Sequence, residues 1–302
     1  MITVIGSINL DLIARVERLP APGETVPGSD FSTAPGGKGA NQALAACRAG
    51  AQVRMIGAVG SDAFAGQALA MLDEAGVDLA RVKKTAAPTG TAMILVGGDG
   101  ENIIAVIAGS NAEIFPGDVD SATLTRGEFV LLQHEVPLAT VEAALHAARA
   151  AGAVSLLNTA PYRAEAAALL GLADYVIANE TEFDLYAGKL SLAGDSRGQK
   201  MRAFAARTGR TIVVTLGAEG VLAATPEQLF RIPTLLITPL DTVGAGDTFC
   251  GYLAAGLSEG LTLEDALRRA AAAGALACLK PGAQPSIPLR GEVDAALASR
   301  QG

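Results

Sequence analysis

Apolar positions along this chain fall into short β-branched runs separated by longer amphipathic stretches, in regular succession. Runs at residues 2–5, 52–59, 129–133, 154–158, 175–178, 211–216, 221–224 and 235–238 read as strands. Residues 40–49, 63–75, 138–150, 164–170, 200–208 and 248–257 read as helices. A last long helix opens at the capping box Thr262-Leu-Glu-Asp265 and runs to about residue 280. Such alternation predicts a parallel sheet covered by helices on both faces, with ligands at the carboxyl ends of its strands. Two stretches break the rhythm. Residues 88–96 and 102–107 predict two strands joined by the hairpin turn Gly97-Gly-Asp-Gly100. A turn-rich segment at 20–28 carries Pro20, Pro22, Gly23, Pro27 and Gly28. Together they predict a small separate sheet or flap.

Polar residues collect at or just past the expected strand ends. Alternation after Gly6 places Ser7, Asn9 and Asp11 on one face and Ile8, Leu10 and Leu12 on the other. That face suits the hydroxyls of a polyol, although it also fits an ordinary solvated strand. Glu135, Asn179, Glu182, Thr215 and the turn at 241–247 occupy equivalent ends. In Asp241-Thr-Val-Gly-Ala-Gly-Asp-Thr-Phe-Cys-Gly251, three small residues lead into an acid and then a helix. Bare backbone amides at a helix start favour an anion. An acid there either caps the helix or acts as a base, taking a proton from a hydroxyl while the amides hold the charge that arrives. Gly36-Gly-Lys-Gly-Ala-Asn-Gln42 forms a second glycine loop before a helix. It lacks the spacing of a nucleotide phosphate loop, because Gly39 follows Lys38. Lys38 and Asn41 remain as donors to a small polar ligand, or the loop is a tight turn before a packed helix.

Composition narrows the classes. The chain has 302 residues, enough for a sizeable core, half of them hydrophobic but only 4% aromatic, so that core is built from Ala, Leu, Val and Ile. A net charge of -8 excludes a general nucleic-acid or anionic-membrane surface. Cys47, Cys250 and Cys278 are widely spaced and read as buried free thiols of a reducing, cytoplasmic compartment. The first residues lack a basic leader, and no uncharged apolar run reaches membrane-spanning length. With only His134 and His146, a histidine-rich metal site is excluded, and His134 beside Glu135 reads as structural.

Six motifs, Gly6-Ser-Ile-Asn-Leu-Asp11, Pro22-Gly-Glu-Thr25, Gly36-Gly-Lys-Gly-Ala-Asn-Gln42, Gly109-Ser-Asn-Ala112, Asn179-Glu-Thr-Glu182 and Asp241-Thr-Val-Gly-Ala-Gly-Asp247, follow one another in this order. In that order, over nearly the full length, the chain resembles the ribokinase family of carbohydrate kinases. The resemblance implies an α/β fold: a three-layer sandwich with a mostly parallel central sheet and a small β-sheet lid. It implies one domain over 1–302, with lid strands from about 10–30 and 88–108. The implied activity is ATP-dependent phosphorylation of D-ribose at its 5-hydroxyl. Kinases for deoxyribose, fructose or a nucleoside, or a non-catalytic sugar-binding regulator, are the alternatives; few aromatics and no Trp disfavour a nucleoside.

By the same resemblance, Asn9, Asp11, Gly37, Lys38, Asn41 and Glu135 hold the sugar, and Asp247 is the base. Gly244, Ala245 and Gly246 form the anion hole. Asn179, Thr215, Gly217, Gly220 and Gly246 lie along ATP, and Glu182 serves Mg²⁺ through water. A monovalent cation, K⁺, is expected at Asp241, Val243, Ala277, Lys280, Gly282 and Ser286, largely through backbone carbonyls. Val243 stands where ribokinases often carry Thr, and Lys280-Pro281 departs from the usual approach to Gly282. The lid is expected to pair across a homodimer.

Overall fold

Ile2 and Val4 are buried in one apolar cluster while Ile5, on the same strand, is buried in another. Successive side chains of a strand point to opposite faces, so this strand is covered on both. The same split recurs at Leu131 against Val130 and Leu132, and at Val213 against Ile212 and Val214. The computed structural model describes residues 1–120 and 124–299. In chain order its elements are β1 (Ile2–Ile5), β2 (Asn9–Val16), β3 (Gly28–Gly36), α1 (Lys38–Arg48), β4 (Val53–Gly60), α2 (Ala63–Glu74), β5 (Asp78–Thr85), β6 (Gly90–Val96) and β7 (Asn102–Ile107). Then come β8 (Phe129–Leu132), α3 (Leu138–Ala151), β9 (Val154–Asn158), β10 (Tyr175–Asn179), α4 (Glu180–Lys189), α5 (Arg197–Thr208), β11 (Thr211–Thr215), β12 (Val221–Ala224) and β13 (Leu229–Ile232). The helices α6 (Ala245–Ser258), α7 (Leu263–Ala277), α8 (Ala283–Ser286) and α9 (Arg290–Ala298) close the chain.

Nine strands form one sheet in the order β13-β12-β11-β10-β9-β8-β1-β4-β5. Its pairings are parallel from β11 to β5; β12 alone runs against the rest, antiparallel to both β11 and β13. Residues of α1, α2, α6, α7 and α9 pack in the cluster on one face, and residues of α3, α4 and α5 in that on the other. The chain moves outward from β1 to β4 and β5, then returns to place β8 on the other side of β1. A crevice opens at such a reversal, beyond the carboxyl ends of the two strands. A second sheet, ordered β3-β2-β6-β7, stands beside it. In it β2 pairs parallel with β6, while the two outer pairings are antiparallel.

Several expectations are corrected. Residues 235–238 form no strand; the last strand is β13, and the apolar segment after it runs irregularly along a cavity, with Leu236 93% exposed. Pro233 and Pro239 flank that segment and cannot donate to a sheet ladder. Residues 164–170 are not an α-helix but two 3₁₀ turns, Ala164–Ala168 and Leu170–Leu172. The helix after Thr262 ends at Ala277 and is not the last, since α9 follows. Its cap is one-sided: Thr262 Oγ1 accepts from the Asp265 amide at 3.1 Å, and its hydroxyl donates back to the Asp265 carboxylate. β3 also extends the turn-rich segment through Gly36, where a loop was expected, and α1 begins at Lys38 rather than residue 40. β5 was not anticipated, because a charged edge strand lacks an apolar pattern.

Candidate active site

Parallel strands bring their carboxyl ends to one line, and that line becomes the site. Ser7, just after β1, donates its hydroxyl to Oε2 of Glu135, just after β8. The same oxygen accepts from the Lys38 amide at 3.0 Å. Gly37 has φ +89°, and a Cβ there would come within 2.8 Å of the Asn9 nitrogen. Only glycine lets the loop lie this close to the β1–β2 segment. Asn9 is buried, and its Oδ1 accepts from Asn111 Nδ2 at 2.7 Å. Asn111 is itself fixed by the Ile8 backbone, accepting from its N–H at 2.9 Å and donating to its carbonyl at 3.2 Å. Asp11 follows on the same strand face, and its carboxyl is raised to about 6 by burial, then by the neighbouring charges of Glu135 and Asp247.

Helix α6 is capped by Gly244 in the left-handed conformation, φ 77°, with no side-chain cap. A Cβ on Gly244 would lie 2.9 Å from the Ala283 backbone, so α8 packs directly on this turn. Asp247 is therefore not the cap. It sits in the first helical turn, buried, and its oxygens accept from Asn41 Nδ2 and Gln42 Nε2, each at 2.9 Å. The capping alternative fails because both oxygens are engaged by another helix. Ala245's amide donates to the Thr242 carbonyl at 3.3 Å. The amides of Gly246 and Asp247 lie in the first turn, where an α-helix supplies no carbonyl.

A cavity of about 600 Å³ opens onto this turn. Its wall includes Lys38, Asn179, Glu182, Thr215, Gly217, Gly220 and the run Gly244, Ala245, Gly246 and Asp247. The nucleotide half of the sequence-derived set and the candidate base thus share one hollow. Asn9, Asp11, Asn41 and Glu135 are outside its lining and join it through Lys38 and the Asn41–Asp247 bond. Negative Asp247, with Glu135 and Glu182, holds the Lys38 ammonium above its ordinary value against the opposing effect of burial.

Asn179 and Glu182 form a reciprocal capping box on α4, with bonds of 2.8 and 3.1 Å, so the helix-start role is real for both. Glu182 also accepts from the Thr159 hydroxyl at 3.0 Å through the same Oε2. Its Oε1 makes no hydrogen bond among the described residues. One carboxylate oxygen on a cavity wall fits Mg²⁺, which keeps mostly water and phosphate ligands. No cluster of three His, Cys, Asp or Glu side chains able to hold a metal exists among the described residues.

The cation-site candidates are spread over the 241–243 and 280–282 loops, the end of α7 and α8. Asp241 accepts from the amides of Val243 at 3.0 Å and Gly282 at 2.8 Å, tying two of those loops together. The Lys280 amide reaches the Ala277 carbonyl at 3.5 Å, the Lys280 ammonium turns away to Glu292 at 3.3 Å, and the buried Ser286 donates to Ala283. His134 is buried, with Nδ1 3.0 Å from the Thr159 carbonyl, and burial pushes it down to about 4: a neutral structural histidine.

Gln42, Asn111, Gln133 and Asn158 join the site without having been singled out. Gln42 and Asn111 stand inside the glycine-loop and Gly109 motifs, but only the fold shows what they touch. Asn158 ends an expected strand and carries no pattern of its own.

Residues 1–290 match the family model described as pfkB family carbohydrate kinase. The chain is similar to a ribokinase of Lactococcus lactis subsp. lactis, 38% identical over 299 residues, covering 98% of this chain and 96% of that protein. Among solved structures it resembles the Thermotoga maritima ribokinase, with a TM-score of 0.92 and 31% identity over 99% of each chain. It also resembles an Arabidopsis thaliana ribokinase complexed with ribose and ATP, with a TM-score of 0.86 and 31% identity over 98% of each chain. A match over this length, on a chain whose motifs meet in one cleft, makes the protein a member of the pfkB family of carbohydrate kinases.

Proposed function

We propose that this kinase transfers the γ-phosphoryl group of ATP to the 5-hydroxyl of D-ribose, giving ribose 5-phosphate and ADP. One observation carries the reading. Asp247 is a buried carboxylate at a glycine-bounded helix start, bonded to Asn41 of α1, the helix that Lys38 opens. The relatives named ribokinase across nearly the whole chain support ribose as the acceptor.

Asn9, Asp11, Gly37, Lys38, Asn41 and Glu135 hold the sugar hydroxyls, and Asn111 keeps Asn9 in place. Asp247 takes the proton of the 5-hydroxyl as its oxygen bonds to phosphorus. Gly244, Ala245 and Gly246 form the anion hole: the turn at the start of α6 brings the phosphoryl oxygens to its backbone, where the first-turn amide of Gly246 has no carbonyl partner within the helix. Lys38 adds a fixed positive charge between sugar and nucleotide. Such positioning and electrostatics are the main protein contribution to phosphoryl transfer. Asn179, Thr215, Gly217 and Gly220 line the path of ATP. Glu182 holds Mg²⁺ through water, and the ion, when bound, neutralises phosphate charge. K⁺ is held by Asp241 and the carbonyls of Val243, Ala277, Lys280 and Gly282, with Ser286 nearby, and steadies the loops around Gly244. The donor set is all oxygen, which suits it.

The chain works as one domain, with the four-stranded sheet as a lid that excludes water from the sugar. That sheet exposes Phe31, Met93, Ile103, Ile104, Val106 and Ile107, an apolar surface suited to the lid of a second copy in a homodimer. Free thiols fit a reducing cytoplasm. Among the described residues no helix is long and apolar enough to cross a membrane.

The test is ADP release with ribose, deoxyribose, fructose and a nucleoside, with and without K⁺. The highest kcat/KM with ribose, raised by K⁺, is the expected result. Preference for another acceptor replaces ribose in the reading. Ribose binding without turnover of any acceptor makes the protein a sensor instead.

A further inference from the structure

Behind the candidate base lies a file of buried amides that the reaction just described does not use. Gln42 and Gln133 are both 0% exposed. Gln42 Nε2 donates to Asp247 Oδ1 at 2.9 Å and to Asn158 Oδ1 at 3.4 Å. Gln42 Oε1 accepts from Gln133 Nε2 at 2.6 Å. A primary amide has two donors on one side and an acceptor on the other. All three sides of Gln42 are therefore committed, and together they allow only one orientation. Half a turn about its last bond would set Oε1 against the Asp247 carboxylate and the Asn158 carbonyl, and the NH₂ group against Gln133's own NH₂.

Gln133 is held differently. Its Oε1 is buried without a partner among the described residues. A Cβ on Gly6 would come within 2.0 Å of that oxygen, so the carboxamide is wedged against the bare Gly6 backbone. Packing places Gln133, Gln133 orients Gln42, and Gln42 directs an N–H at the carboxylate. Aligned donors of this kind strengthen one another in a low-dielectric interior. An ionised carboxylate accepts up to about four hydrogen bonds, so the amides of Asn41 and Gln42 leave room for a hydroxyl.

We propose that Gln42 is a positioning residue for Asp247, locked by Gln133, which holds the base in place and in its ionised form. The inference rests on the kinase reading above and deepens it. A donor to the charged form favours that form, so its loss makes the carboxylate easier to protonate. The damage should then fall on kcat and on its acid limb, not on sugar binding.

The experiment measures kcat and the ribose KM from pH 5 to 9 for Gln42→Leu and Gln133→Met. Gln42→Leu removes the donor; Gln133→Met keeps it but frees it to turn. Gln42→Leu should lower kcat about 10- to 100-fold. Its acid limb should move up by about one pH unit, with KM changed less than about threefold. Gln133→Met should shift both in the same direction by less, and it serves alone if Gln42→Leu does not fold. Thermal unfolding of each variant is read alongside. A kcat loss at every pH with an unmoved acid limb overturns the proposal, as does a variant within twofold of the wild type. If the wild type itself turns over no sugar, the kinase reading fails instead, so the two failures are distinct.

Discussion

Asn41 Nδ2 donates to Asp247 Oδ2 at 2.9 Å, across 206 positions of sequence. The bond joins the first turn of α1 to the first turn of α6, so the sugar loop and the anion-binding turn hold one carboxylate between them. Asn41 Oδ1 is buried and has no partner among the described residues, an acceptor left for a sugar hydroxyl. Replacing Asn41 with Ala should therefore raise the ribose KM and lower kcat together, measured by steady-state kinetics. A change in neither would detach Asn41 from the acceptor.

Asp247→Asn keeps the shape and removes the proton acceptor. General-base catalysis is worth about 10²–10⁴-fold, and kcat should fall by at least that much. Ribose affinity by calorimetry should change only severalfold, because Asn9, Asp11, Lys38 and Glu135 remain. Retention of most activity would identify a different base.

Asp11 carries a folded-state pKa raised to about 6 from 3.8, by burial first and then by Glu135 and Asp247. A raised carboxyl favours the folded state below 3.8, and that contribution is lost as pH rises through about 6. At pH 7 the ionised group therefore destabilises the empty protein. Asp11→Asn should stabilise it at pH 7 by up to about 2 kcal/mol after solvent screening, with the gain vanishing near pH 4. Urea unfolding at the two pH values reads this. Ribose binding should weaken in the same variant, and equal stability at both pH values would refute the assignment.

His134 works in the opposite direction. Burial lowers it from 6.5 to about 4, so its contribution is complete above 6.5 and lost as pH falls through about 4. The span is worth about 3 kcal/mol at most. His134→Gln should flatten the loss of stability between pH 6.5 and 4 while costing some stability at pH 7. A wild-type slope in the variant would place the acid sensitivity elsewhere.

Two glycines should respond differently to Ala. A Cβ at Gly39 would lie 2.6 Å from the Gly6 and Ser7 backbone, which cannot yield as a side-chain end can. Gly39→Ala should cost about 1–3 kcal/mol of stability by overpacking. A Cβ at Gly246 meets nothing within 4 Å, so its cost appears only when phosphate approaches. Gly246→Ala should melt with the wild type yet lose at least about tenfold in kcat/KM for ATP. Calorimetry with ATP kinetics separates the two.

Much of the scaffold was legible along the chain. Seven expected strands of the main sheet, from 2–5 to 221–224, lie within a residue or two of their observed bounds. The hairpin at 88–107 was equally plain, because alternating β-branched runs around a glycine turn have few other solutions. Local signals failed where the segment answers to its neighbours. β5 is held as a parallel edge strand by β4, and the apolar run Leu235, Leu236 and Ile237 lines a cavity instead of joining the sheet.

Sequence alone determined the alternation of most strands and helices, the motifs by which the chain resembles its family, and the identity of the acids, amides and glycines at the strand ends. These follow from periodicity and from motif spacing, both of which are local. Tertiary structure alone decided that Asp247 is no cap, that Asn111 stands behind Asn9, and that Gln133 orients Gln42. A side-chain amide reads the same in sequence whichever way it faces. Its direction is set by donors and acceptors that lie about a hundred or two hundred residues away and meet only when the sheet is built.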